Sequence, residues 1–107
     1  MERYGMIIKV KPEKLEEYKR LHAAVWPEML DLIRGCRIKN YSIFYQGGYV
    51  FSYYEYYGDD YQKDMAKFDA APINRKWGAL CRPCLEPVPE RAEGERWVKM
   101  EEFFHLD

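Results

Sequence analysis

The chain has 107 residues, enough for one domain (1–107) with a single core and little surplus. It is 48% hydrophobic and 33% charged with a net charge of −1, which argues against disorder and against nucleic acid as the main partner, since phosphate binding needs a basic face. No run reaches the roughly 18 apolar residues of a membrane span. The opening MERYGMIIKVKPEK has no extended apolar signal region, so a soluble cytoplasmic protein is expected.

In chain order, YGMIIKV (4–10) predicts a short apolar strand. Pro12 then opens a helix, with Glu13, Glu16 and Glu17 near its positive dipole end. Leu15, Tyr18, His22, Val25, Met29 and Leu32 recur at helical spacing and mark the buried stripe, with Trp26 and Ile33 on its flank. Pro27 lacks a backbone donor and crowds the carbonyl of Ala23, which predicts a kink or break near Trp26. Gly35 is the expected left-handed cap.

KNYSIFY (39–45) and YVFSYYEYY (49–57) flank QGG and read as a hairpin with the glycines at its turn. Both strands carry aromatic or aliphatic residues on both faces, whereas a sheet with one solvated face alternates apolar with polar. Helices of the chain can cover one face and a second copy the other, which predicts a homodimer. DDYQKDMAKFDAA follows as a second helical region, which Pro72 breaks and restarts as INRKWGALCRPC. Ile73, Trp77, Leu80, Cys81 and Cys84 are expected to share one face. After the loop PVPERAEGE, a last strand is expected from about Arg96 to His105. Val98, Met100, Phe104 and Leu106 would lie on one of its faces. The order β-α-β-β-α-β is the ferredoxin-like α+β arrangement, an antiparallel sheet with helices on one face.

Cys81 and Cys84 form a C-x-x-C, with Cys36 left over. A redox pair belongs at a helix N-terminus, where thiolate is favoured, and this pair sits near a C-terminus. Structural zinc needs four ligands, and no second pair exists. Buried structural thiols are expected.

His22 is the first chemical candidate. A lone histidine on an apolar stripe is ordinarily a hydrogen-bonded core residue. Here Tyr18 lies one turn before it, Trp26 one turn after, and a proline break follows. A phenol, an imidazole and an indole along one face suit the wall of a pocket for a polar ligand. An imidazole gives and takes protons near neutrality. Tyr41 and Trp77 lie on apolar faces where packing alone would explain them, and they gain interest only beside His22. His105, near the chain end, reads as exposed or capping. No P-loop, Rossmann fingerprint, G-x-S-x-G or metal-ligating cluster is present in the sequence, so no cofactor and no metal are expected.

The segments YGMIIKVKPEKLEEYKRLHAAVWPEM, IKNYSIFY, INRKW and WVKMEEFFHLD together resemble the L-rhamnose mutarotase family along nearly the whole chain. The densest signature is Y-x-x-x-H-x-x-x-W-P-E, residues 18 to 28. The resemblance implies a dimeric ferredoxin-like fold of the α/β-barrel type. It also implies interconversion of the α and β anomers of L-rhamnose, or a related 6-deoxysugar, without a cofactor. It carries the proton donor onto His22 and sugar binding onto Tyr18, Tyr41 and Trp77. Family members with two adjacent tryptophans in the second helix differ from this chain, where Lys76 precedes Trp77. Lys76 is expected as an added contact that donates hydrogen bonds to sugar hydroxyls. In such a reaction His22 works with a phenol or a bound water. Two other readings fit the same residues: a dimeric ferredoxin-like monooxygenase or isomerase acting on a small aromatic substrate, and a non-catalytic sugar-binding module.

Overall fold

A computed structural model describes residues 1–107. The central strand, β1 (Glu2–Val10), runs antiparallel to β3 (Tyr49–Tyr56), pairing Tyr4 with Tyr54 and Ile8 with Val50. Period-2 alternation sends Tyr4, Ile8 and Val10 of β1 to the same face as Val50, Ser52, Tyr54 and Tyr56 of β3, and all seven are buried. Full burial of an aliphatic side chain such as Ile8 contributes about 1.5–3 kcal/mol. The outer strand β2 (Ile38–Gln46) joins β3 through Gly47 and Gly48, whose φ angles of 59° and 90° are those a tight two-residue hairpin demands. Two short strands, β4 (Leu85–Glu86) and β5 (Val98–Lys99), pair with the other edge of β1. The order is β2-β3-β1-β4, with β5 also on β1, which is the ferredoxin-like frame expected from the sequence.

Each of the two anticipated helical regions is split by a proline. A 3-10 turn at Pro12–Lys14 leads into α1 (Leu15–His22), and Pro27 starts a separate α2 (Pro27–Gly35). Trp26, before the proline, is held extended at φ −59°, ψ 135°, as the clash with the proline ring requires. The second region divides into α3 (Tyr61–Ala70), capped by Asp60 accepting from the Lys63 amide at 3.1 Å, and α4 (Pro72–Cys81). Tyr18 and Met29 from the first pair, and Trp77 and Cys81 from α4, join Ile8, Val10 and Val50 in one core cluster.

Three expectations are corrected. Gly35 stays within α2, and the left-handed residue is Arg37, at φ 66°. Burying Cys36 completely carries the helix end past the glycine. The strand expected over 96–105 is only Val98–Lys99, extended by one bond from the Met100 amide to the Gly5 carbonyl at 2.7 Å. In this register Arg3 stands opposite Glu102, but the two meet only through their side chains, at 3.0 Å; Phe103, Phe104 and Leu106 are left 89%, 76% and 79% exposed, so no burial rewards extending the ladder. Leu80, expected on the buried face of α4, is exposed. The β4 strand was not anticipated. Pro87 and Pro89 lie directly beyond its two residues, where they cannot donate to a ladder.

The β2–β3 ladder is irregular at one point, between Lys39 and Ser42, and Asn40 there has φ 52°. Its amide Nδ2 donates to Glu55 Oε1 at 2.6 Å. The hydroxyls of Tyr53 and Tyr57 donate to the same carboxylate at 2.6 and 2.8 Å. These donors, with Tyr53 first, hold the Glu55 carboxyl down at about 2. A carboxyl depressed in the folded state adds stability that is complete above its unfolded value and lost as pH falls toward the folded one. Wild-type urea midpoints should therefore decline between about pH 4.5 and 2 more steeply than those of Glu55→Gln. Parallel curves for the two proteins would refute this account of the carboxylate.

Candidate active site

The break at Pro27 makes His22 the last residue of α1. Its Nδ1 lies 2.8 Å from the Tyr18 carbonyl oxygen. A carbonyl only accepts, so Nδ1 carries a hydrogen and donates it. In the neutral ring Nε2 is then the basic nitrogen. No protein group hydrogen-bonds to Nε2. The ring is half-buried between two aromatics, with centroids 4.4 Å from Tyr18 and, edge-on, 5.4 Å from Trp77. Trp26 packs edge-on against the other side of the system, 5.1 Å from Trp77. It braces Trp77 and does not line the cavity.

That cavity, about 1080 Å³, opens between the helices and the inner face of β2. It lies just above the roughly 300–1,000 Å³ common for ligand sites. His22, Tyr18, Tyr41 and Trp77 all line it, so the structure brings four of the five anticipated site residues together. Lys76 is the exception. It is exposed and absent from the lining, because one step along α4 from buried Trp77 turns the side chain outward. The positions that do share Trp77's face are Asn74 and Cys81, three residues before and four after, and both line the cavity. Asn74 was readable from that spacing. Arg34, Arg82, Arg96 and Trp97 also reach the wall, from segments with no common sequence signal. A smaller cavity of about 370 Å³ lies across Tyr18 and His22, bounded by Leu15, Phe44 and Tyr45, so this pair forms a partition between two hollows.

Burial sets the protonation of the phenols. Tyr18, 6% exposed, is pushed above the usual phenol range by burial, and Tyr41, Cys81 and Cys84 add to it. Tyr41 leaves 41% of its residue surface open, and desolvation at the cavity wall pushes the phenol up to about 12, with Cys81 and Tyr61 adding to it. Both are neutral hydrogen-bond donors at physiological pH. Cys81 is likewise raised by burial to about 12, and Cys84 is raised by burial and by Glu17, to which its thiol donates at 3.8 Å. All three cysteines are free and buried, and the C-x-x-C pair lies at the C-terminal end of α4 and in the turn after it. No three His, Cys, Asp or Glu side chains converge as a metal site requires.

The L-rhamnose mutarotase family model matches residues 3–106. The chain belongs to the L-rhamnose mutarotase family. The L-rhamnose mutarotase of Oceanobacillus iheyensis is 31% identical over the full length of both chains, and that of Mannheimia succiniciproducens is 30% identical over the same span. Among solved structures, the L-rhamnose mutarotase of Formosa agariphila superposes with a TM-score of 0.79 at 22% identity, covering both chains completely. The tetracenomycin F2 cyclase of Streptomyces glaucescens shares the fold at a TM-score of 0.75 and 16% identity, covering 100% of this chain and 98% of its own. The mutarotase family thus accounts for the whole chain, whereas the likeness to the cyclase is one of fold.

Placement on α4 separates two neighbouring side chains. Lys76→Ala should leave the KM for sugar within about twofold, as an exposed substitution away from the site does. Trp77→Ala should raise it roughly tenfold, equivalent to about 1.4 kcal/mol of binding. Comparable increases in both variants would place the cavity lining wrongly.

Proposed function

We propose that this chain interconverts the α and β anomers of L-rhamnose, or of a closely related 6-deoxysugar, in the cavity bounded by His22, Tyr18, Tyr41 and Trp77. The observation that carries this reading is His22. Its Nδ1 is committed to a backbone carbonyl, Nε2 has no protein partner, and the side chain lines a cavity walled by aromatic rings, phenols and the guanidinium groups of Arg34, Arg82 and Arg96. Nε2 takes the proton of the anomeric hydroxyl as the bond from C1 to the ring oxygen breaks. The ring oxygen gains a proton and the sugar becomes an open-chain aldehyde. Rotation about C1–C2 presents the other face of the carbonyl, and closure reverses the transfers. The two oxygens sit on one carbon, close enough for a single imidazole nitrogen to serve both in turn.

Tyr18 and Tyr41, held protonated, donate hydrogen bonds to sugar oxygens and do not compete with His22 as bases. Trp77 offers a flat apolar wall to the C–H face of the ring. General acid–base transfer of this kind is worth roughly 10²–10⁴-fold. Lys76 has no part in the reading, for its side chain lies outside the cavity.

The proposal includes a homodimer in the cytoplasm. The outer face of the sheet bears Phe44 and Tyr49, 60% and 39% exposed, and the C-terminal segment adds Phe103, Phe104 and Leu106. Apolar surface on that scale favours a self-complementary partner. Three cysteines held as free thiols accord with a reducing compartment, and no helix is long and apolar enough to cross a membrane.

Saturation transfer between the two anomeric protons of L-rhamnose should be accelerated by the protein, and His22→Ala should reduce that exchange by roughly 10²–10⁴-fold with its circular dichroism unchanged. Full exchange in His22→Ala, or none in wild type, refutes the proposal. Sedimentation at micromolar concentration should report twice the 12.9 kDa of one chain, and Phe44→Glu should shift it toward one. A single-chain mass for wild type rules out the dimer.

A further inference from the structure

Tyr41 reaches the cavity only because the strand that carries it is out of step. Ile38 pairs with Tyr56 and Lys39 with Glu55, but the next pair is Ser42 with Tyr53. Asn40 and Tyr41 therefore stand together opposite the single residue Tyr54, which is a β-bulge. Asn40 takes the left-handed position of that bulge at φ 52°, a place usually given to glycine and tolerated by asparagine. The extra residue reverses the alternation. In an uninterrupted strand starting from inward-facing Ile38, Tyr41 would share the outer face with Lys39. As built, Tyr41 turns inward, lines the cavity with Ile43, and lies 5.3 Å from the ring of Tyr54.

The bulge is held from the opposite side of the sheet. Asn40 Nδ2 donates to Glu55 Oε1 at 2.6 Å, and Glu55 is itself oriented by the hydroxyls of Tyr53 and Tyr57. Beside this clamp Lys39 Nζ lies 4.9 Å from the centre of the Tyr57 ring. None of these groups takes part in the proton transfers described above.

We propose that Asn40 and Glu55 are positioning residues: the bulge they hold aims Tyr41 at the sugar. The proposal rests on the reading of Tyr41 as a sugar-binding side chain, so its test needs one readout that is independent of sugar. Protein labelled with 3-fluorotyrosine supplies it, with the Tyr41 fluorine signal assigned by its loss in Tyr41→Phe. In Asn40→Val, whose β-branched side chain resists positive φ, that signal should move toward the exposed value and gain H₂O/D₂O sensitivity. Glu55→Ala, a change at the surface, should produce a smaller shift of the same sign. Asn40→Gly, which keeps the backbone freedom, should restore the wild-type position.

In the exchange assay, Asn40→Val should raise KM about as far as Tyr41→Ala does, and the double variant should be no worse than either, a non-additivity expected only when two residues act as one. An unmoved Tyr41 signal in both Asn40→Val and Glu55→Ala overturns the proposal, as do additive losses in the double variant. A signal that moves as described in a protein showing no anomeric exchange upholds the control of Tyr41 by the bulge and overturns the assigned reaction.

Discussion

The chemistry proposed for this molecule depends on one hydrogen bond, from His22 Nδ1–H to the Tyr18 carbonyl. It fixes the imidazole tautomer, aims the ring and leaves Nε2 as the ring nitrogen without a protein partner. The bond spans one helical turn and so is local. What makes it useful is that the helix stops at His22, which leaves the ring half-buried at the rim of a hollow instead of sealed in the core. Pro27 enforces that stop by denying the helix a donor and pushing Trp26 into extended backbone.

Around this nitrogen the protein supplies groups that do not titrate. Burial raises Tyr18 and Tyr41, and the adjoining Cys81 thiol stays protonated for the same reason. The site thus sets one imidazole among neutral phenols, flat rings and the fixed positive charges of Arg34, Arg82 and Arg96. That division suits ring opening, in which a single proton moves between two oxygens of one carbon. Aromatic residues make up 17% of the chain, and they serve partly here and partly in the stack of Tyr4, Tyr54 and Tyr61 between β1, β3 and α3, where centroids lie 4.3 and 5.3 Å apart. Tyr41 leans on that stack through Tyr54, so core and site share one aromatic system.

Much of this was legible in the residues. The hydrophobic period placed Tyr18 and His22 on one stripe, the two prolines marked both helix breaks, and the paired glycines marked the hairpin. The same period could have put Asn74 beside Trp77. Lys76 was misjudged because a likeness to neighbouring tryptophans says nothing of direction, and one residue along a helix is about 100° of rotation. Gly35 misled because complete burial of Cys36 outweighs the preference of glycine for a cap. The overlong last strand misled because strand-like residues need a surface to bury against as well as a partner edge, and Phe103, Phe104 and Leu106 find none in this chain.

Local order was therefore determined by the sequence alone: helical stripes, proline breaks, turn glycines and the pairing of a phenol with an imidazole are all set within a few residues. Tertiary structure alone decided which strand edges were filled, how far Tyr41 turned, and which arginines reached the cavity. Those outcomes depend on register across the sheet, where one inserted residue at Asn40 reverses every side chain after it. No stretch of β2 carries that information by itself, because it resides in the alignment of β2 with β3.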